Sequence, residues 1–159
     1  MKKEIDIWNI LHDGEITAAE KGADGSYILF INIPYLRRRL PPLGDSFVLT
    51  LSGVKQIIFQ VLDNVREIYR LHGVRQIMGQ DLDNPTLSLE AELELTTPTI
   101  LQTESESMPI SVTTTTGTLI LDYENISFNL DTGQPVEFET IERICREYWD
   151  EFNKRSQTE

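Results

Sequence analysis

The sequence predicts an α+β fold: a mainly antiparallel β-sheet, in one or two layers, with a C-terminal amphipathic helix packed on a sheet face. Three observations carry this. Short apolar runs of period two recur along most of the chain. Turn residues separate them, without the helical crossovers that parallel strands need. The last segment then changes to a helical period.

In chain order, Glu15–Lys21 and Ser26–Ile33 ("SYILFINI") read as two strands joined through "GADG" into a hairpin. Phe47–Leu51 ("FVLTL") and Lys55–Leu62 ("KQIIFQVL") follow, rich in β-branched and aromatic residues. Asn64–His72 reads as a short helix, with Asp63 and Gly73 as its caps. In Leu87–Leu95 ("LSLEAELEL") the leucines and Ala91 alternate with Ser88, Glu90, Glu92 and Glu94, which predicts a half-buried strand. Gln102–Pro109 is polar and acidic and reads as a loop. Three more strands cover Ile110–Thr115, Thr118–Tyr123 and Ile126–Leu130. From Glu139 to Arg155, Ile141, Cys145, Tyr148 and Phe152 repeat at helical spacing. Thr140 is the expected cap, and Glu139/Arg143, Glu142/Arg146 and Glu151/Arg155 are i,i+4 pairs. An echo between "GSYILFI" at 25–31 and "GTLILDY" at 117–123 suggests two similar β units facing each other.

The 159 residues fit a single domain, 1–159, that is large enough to bury a core. The start, "MKKEIDIWNI", has no apolar stretch of the signal-peptide kind, and no run is long enough to span a membrane. One cysteine excludes an internal disulfide and a cysteine-based zinc site. The expected compartment is cytoplasmic.

Charge is unevenly spread. The net charge of −12 divides into +1 over residues 1–80 and −13 over residues 81–159. Nucleic-acid phosphates would be repelled over half the molecule, whereas a basic protein would be attracted.

His12, Asp13 and Gly14 in "WNILHDGEI" raise the question of a metal-dependent hydrolase. Such a site needs further histidines, and His72 is the single other one. Asp13-Gly14 is also turn chemistry, so the step reads as structural, with Asp13 bonding local backbone and His12 packing its ring on the core. No catalytic residue, metal ligand or cofactor is assigned. Arg37 and Arg39 in "YLRRRLPP" form the basic cluster. They would share one face if the preceding strand continues, ready for a phosphate or carboxylate or for the chain's own acidic half. Glu90, Glu92 and Glu94 would stand about 7 Å apart on a strand face, either a docking rail for a basic partner or a solvent face that discourages edge-to-edge aggregation. Asp81–Asn84 lacks the calcium-loop pattern and reads as a turn. Cys145 lies on the apolar helix face, as a buried thiol does.

The order "WNILHDGEI", a strand hairpin, "YLR" and "FVLTLSGVKQIIFQ", over residues 8–62, resembles small β-rich bacterial proteins with a His-Asp-Gly or His-Asp-Ala step, some of them uncharacterised and others similar to immunity proteins, which bind and neutralise a toxin. A helix often precedes the step in those proteins, and Glu4–Leu11 is the segment available here. The resemblance implies a cytoplasmic binding protein without catalysis, in which His12 and Asp13 are hallmarks of the fold. The expected function is a non-enzymatic acidic protein-binding module of unknown oligomeric state. The alternatives are a small-molecule or lipid-binding β protein and, last, the His12/Asp13 hydrolase.

Overall fold

The computed structural model describes residues 4–62 and 86–158, and in them the antiparallel strands form two five-stranded sheets. The expected helix at Asn64–His72 and the Asp81–Asn84 turn lie outside the described residues. The elements are α1 (Glu4–Ile10), β1 (Glu15–Lys21), β2 (Tyr27–Asn32), α2 (Pro34–Arg37), β3 (Ser46–Ser52), β4 (Gln56–Val61), β5 (Thr86–Leu87), α3 (Leu89–Leu93), β6 (Ile100–Thr103), β7 (Ile110–Thr114), β8 (Gly117–Asp122), β9 (Asn125–Leu130), β10 (Pro135–Val136) and α4 (Phe138–Thr158).

One sheet runs β1-β2-β3-β9-β10 and the other β6-β7-β8-β4-β5. Each half of the chain therefore builds a three-strand meander and sends its fourth and fifth strands into the other half's sheet. β3 passes directly into β4, and β8 into β9. The two bent strands pair with each other along their whole length, from Phe47↔Leu130 through Ser52↔Asn125 and Gln56↔Asp122 to Val61↔Gly117. At the bend the ladder holds through reciprocal bonds: Lys55 N–H donates to the Asp122 carbonyl at 2.8 Å, and Glu124 N–H to the Ser52 carbonyl at 2.9 Å. One extra residue stands on the β3–β4 side of this corner, as in a β-bulge, and Gly53 takes the φ of +63° that the bend requires.

A second seam joins the opposite margins. Ile16 N–H donates to the Pro98 carbonyl at 2.9 Å, Ile100 N–H to the Gly14 carbonyl at 2.8 Å, and Asp13 N–H to the Ile100 carbonyl at 2.8 Å, around a single bridge Glu15↔Thr99. The hydrogen bonds thus trace a circuit from β1 through β2, the bent ribbon, β8 and β7 to β6 and back. Alternate side chains fill its interior, among them Leu29, Ile31, Phe47, Leu49, Leu51, Val112, Leu119 and Leu121. The two-unit architecture is present, but not through the strings that suggested it. β2 corresponds to β7 and β8 to β3, so "GSYILFI" and "GTLILDY" occupy different places in their units.

The C-terminal helix packs Phe138 on Phe128 of β9 and lies against α1 and α2. It starts before Thr140, which is therefore inside the helix rather than its cap. Of the expected pairs, Glu142/Arg146 forms at 3.7 Å; Arg143 meets Glu147 at 3.5 Å, and Glu151 reaches across to Arg39 of the α2 region at 2.6 Å.

Two expectations are corrected. Leu87–Leu95 is not a strand: after β5, Ser88 accepts a hydrogen bond from Ala91 N–H at 3.2 Å and starts α3. Ala, Leu and Glu favour helix, and Glu and Ala are poor in strands, so composition and a cap outweigh the alternation. The Tyr35–Arg37 stretch is not a continued strand either, because Pro34 opens the one-turn helix α2. Arg37 is thereby turned inward and fully buried.

The buried guanidinium is matched. Arg37 Nε donates to Asp131 Oδ1 at 2.9 Å, Nη1 donates to the Leu40 carbonyl at 2.9 Å, and Nη2 lies 2.8 Å from Asp131 Oδ1 outside hydrogen-bond alignment. Asp131 Oδ2 accepts from the Asp45 and Ser46 amides at 3.1 and 3.2 Å. Burial by itself would raise the Asp131 carboxyl, but the amides of Asp45 and Ser46 and the Arg37 guanidinium outweigh it and hold the pKa below its ordinary value. A depressed carboxyl contributes stability that is complete above its unfolded pKa of about 4 and is lost as pH falls toward the folded value. Asp131→Asn should therefore cost about 3 kcal/mol at pH 7, the low end for a buried pair, because the partner carboxylate keeps some exposure. Urea midpoints between pH 7 and pH 3 should converge for the two proteins. Coincident midpoints at pH 7 would show that the pair contributes nothing.

Candidate functional site

A groove of about 800 Å³ runs beside the first sheet's edge. One wall is the start of α1, with Glu4 and Ile7, together with Glu106 and Met108 from the β6–β7 loop. The corner Tyr123-Glu124 joins the lining. The opposite wall is the edge of β9, then β10 and the first residues of α4. Ile7, Met108, Ile126, Phe128, Val136 and Phe138 supply apolar lining. Five carboxylates, Glu4, Glu106, Glu124, Glu137 and Glu139, line the same groove, and among the described residues no Lys, Arg or His does.

Local chemistry explains each wall. Trp8 Nε1 donates to the Tyr123 hydroxyl at 3.0 Å, and that hydroxyl donates to Glu4 Oε2, so the start of α1 is tied to the β8–β9 corner. Burial first, and the Glu4 carboxylate second, push the Tyr123 phenol above its ordinary pKa and keep it a donor. Asn9 fixes the other side by a two-way amide contact with the Thr103 backbone, at 2.9 and 3.2 Å. On the opposite wall, β10 pairs with Asn129 and Phe128 alone. The chain then turns into α4, where the Glu137 carbonyl accepts from Thr140 and Ile141. Among the described residues the outer edge of Asn125–Ser127 has no strand partner.

The expected site residues fall elsewhere. Glu90, Glu92 and Glu94 form no rail: on α3 Glu94 is exposed, Glu90 half-buried and Glu92 fully buried. Arg37 is locked on Asp131, and Arg39 is paired with Glu151 and stacked over Tyr148 at 5.2 Å. His12 stacks on Trp149 at 5.7 Å, and its Nδ1 lies 2.8 Å from the Asn9 carbonyl, which can only accept, so Nδ1 carries the proton. Its Nε2 is 3.6 Å from Asp13 Oδ2, and its carbonyl accepts from the Tyr35 hydroxyl at 3.3 Å. Among the described residues no three of His, Cys, Asp and Glu are placed to hold a metal ion. Burial raises the Cys145 thiol above its ordinary pKa, which suits a packing role. No described helix is long and apolar enough to cross a membrane.

The groove residues escape a residue-by-residue reading of the sequence. Glu106 sits in a loop, and Glu137 and Glu139 flank a helix start. The excess of acid after residue 80 is the signal that pointed to their half of the chain. Comparison with protein-family models, with curated proteins and with solved structures finds no match.

The His-Asp-Gly step serves the second seam. Asp13 adopts φ +69°, a left-handed value that glycine accepts without cost. A Cβ on Gly14 would stand 2.9 Å from the Leu11 carbonyl oxygen and 2.7 Å from Ile31 Cγ2. Asp13→Gly should leave stability unchanged within about 1 kcal/mol, whereas Gly14→Ala should lose about 1–3 kcal/mol by overpacking. Thermal and urea unfolding measure both. A large loss in Asp13→Gly with none in Gly14→Ala would refute this seam.

Proposed function

We propose that this chain is a protein-binding module whose acid-lined groove receives a basic partner. The observation that supports this is the groove itself, whose lining among the described residues holds five glutamates and apolar side chains and no Lys, Arg or His. Charge of one sign over an apolar base gives steering from the carboxylates and affinity from the floor. The resemblance of residues 8–62 to small β-rich bacterial proteins, some of them immunity-like, gives a specific form of the reading, in which the bound protein is a toxin. The groove also has the volume of a small-molecule pocket, which favours an apolar cation as a second reading.

The test reverses Glu106, Glu137 and Glu139, all exposed and outside the Tyr123 anchor, to Lys. Against a basic protein at low salt, association should slow by about tenfold or more, with dissociation changed less and the difference shrinking as salt rises. The same reversal at Glu90 and Glu94 should change association less. Equal rates for groove variant and parent would end the proposal.

A further inference from the structure

Resting on that reading, we propose that the occupant of the groove is an extended segment of the basic partner, added as a strand along Asn125–Ser127 of β9. The whole of β9 is paired with β3 on one side. On the other, β10 covers Phe128 and Asn129 and then departs into α4. The uncovered backbone therefore opens into the groove among the described residues, with Asn125, Ile126 and Ser127 in its lining. An open edge of this kind is a template for another chain, and natural sheets usually blunt it. Here the first residue of β10 is a proline, which has no N–H to donate from the outer strand, while in the neighbouring stretch of β9 Ile126 turns its N–H and carbonyl outward, since those of Asn125 and Ser127 face β3.

The side-chain pattern narrows the sequence of the segment. Asn125 and Ser127 are exposed, whereas Ile126 is half-buried and Phe128 buried. A strand laid beside them turns alternate side chains onto Ile126, Phe128 and Met108 and the rest away from the floor. Apolar residues fit the first set, and Lys or Arg, within reach of the rim carboxylates, the second. A second copy of this chain fits poorly, since its own edge would bring the same glutamates against these.

The probe is a capped octapeptide of alternating valine and lysine, titrated onto the whole chain at low salt, with two versions N-methylated on one or the other set of alternate residues. Amides in a strand point alternately to opposite sides, so a single set faces β9. One methylated version should bind like the parent peptide, and the other should bind roughly tenfold more weakly or worse. Backbone amide signals of Asn125–Ser127 should shift with the parent. If both methylated versions bind like the parent, yet the Glu106, Glu137 and Glu139 reversal abolishes binding, strand addition is wrong and the acid groove stands. If no version binds at all, both fail. A dimer of the chain that the peptide dissolves would assign the edge to a second copy and overturn the proposal.

Discussion

Everything in this molecule hangs on the ladder shared by two bent strands. Neither half of the chain can complete its sheet, because the fourth and fifth strands of each belong to the other. The reciprocal bonds at the corner, Lys55 to Asp122 and Glu124 to Ser52, keep backbone groups paired where the ribbon leaves one sheet for the other. Without such partners the bend would break the ladder between the two sheets. The seam at Gly14, Ile16, Pro98 and Ile100 answers it across the molecule, and between the two the apolar faces close on one core.

The same architecture sorts the charges. Arg37 and Arg39 are held by Asp131 and Glu151, which neutralises the basic cluster with the acidic half of the chain. Burying Arg37 is tolerable because its donors meet a carboxylate and a carbonyl, and that carboxylate is itself held by two backbone amides. The groove carboxylates share their lining with β9 and β10, with no Lys, Arg or His among the described lining residues. Rigid walls matter as much: Tyr123 ties α1 to the corner, so the groove exists before a partner arrives and less ordering opposes binding.

Strands with true alternation of β-branched and aromatic residues were legible in the sequence, as were the β1–β2 hairpin and the long helix, since one face of each must be buried. Leu87–Leu95 shows the limit. Its alternation is perfect, but it is written in Leu, Ala and Glu behind a serine cap, and the helix prevails over five residues. Arg37 shows another: burial of a charge depends on Asp131, which lies 94 residues away, and no local pattern announces such a partner. His12-Asp13-Gly14 was legible as structure because Asp-Gly is turn chemistry. Its task of joining two sheets was not, because that pairing is long-range. The groove was invisible for the same reason, being assembled from two helix starts, a loop, a corner and a strand edge far apart in the chain.

Native-state hydrogen exchange of the seam amides tests the closed two-unit shell most directly, and with it a groove formed in advance. The amides of Asp13, Ile16, Lys55, Ile100 and Glu124 should exchange only through global unfolding, with opening free energies equal to that from urea denaturation. Exchange of those amides at the rate of exposed loop amides, under conditions where the core of β3 and β8 stays protected, would show that the sheets open independently, and would contradict the account.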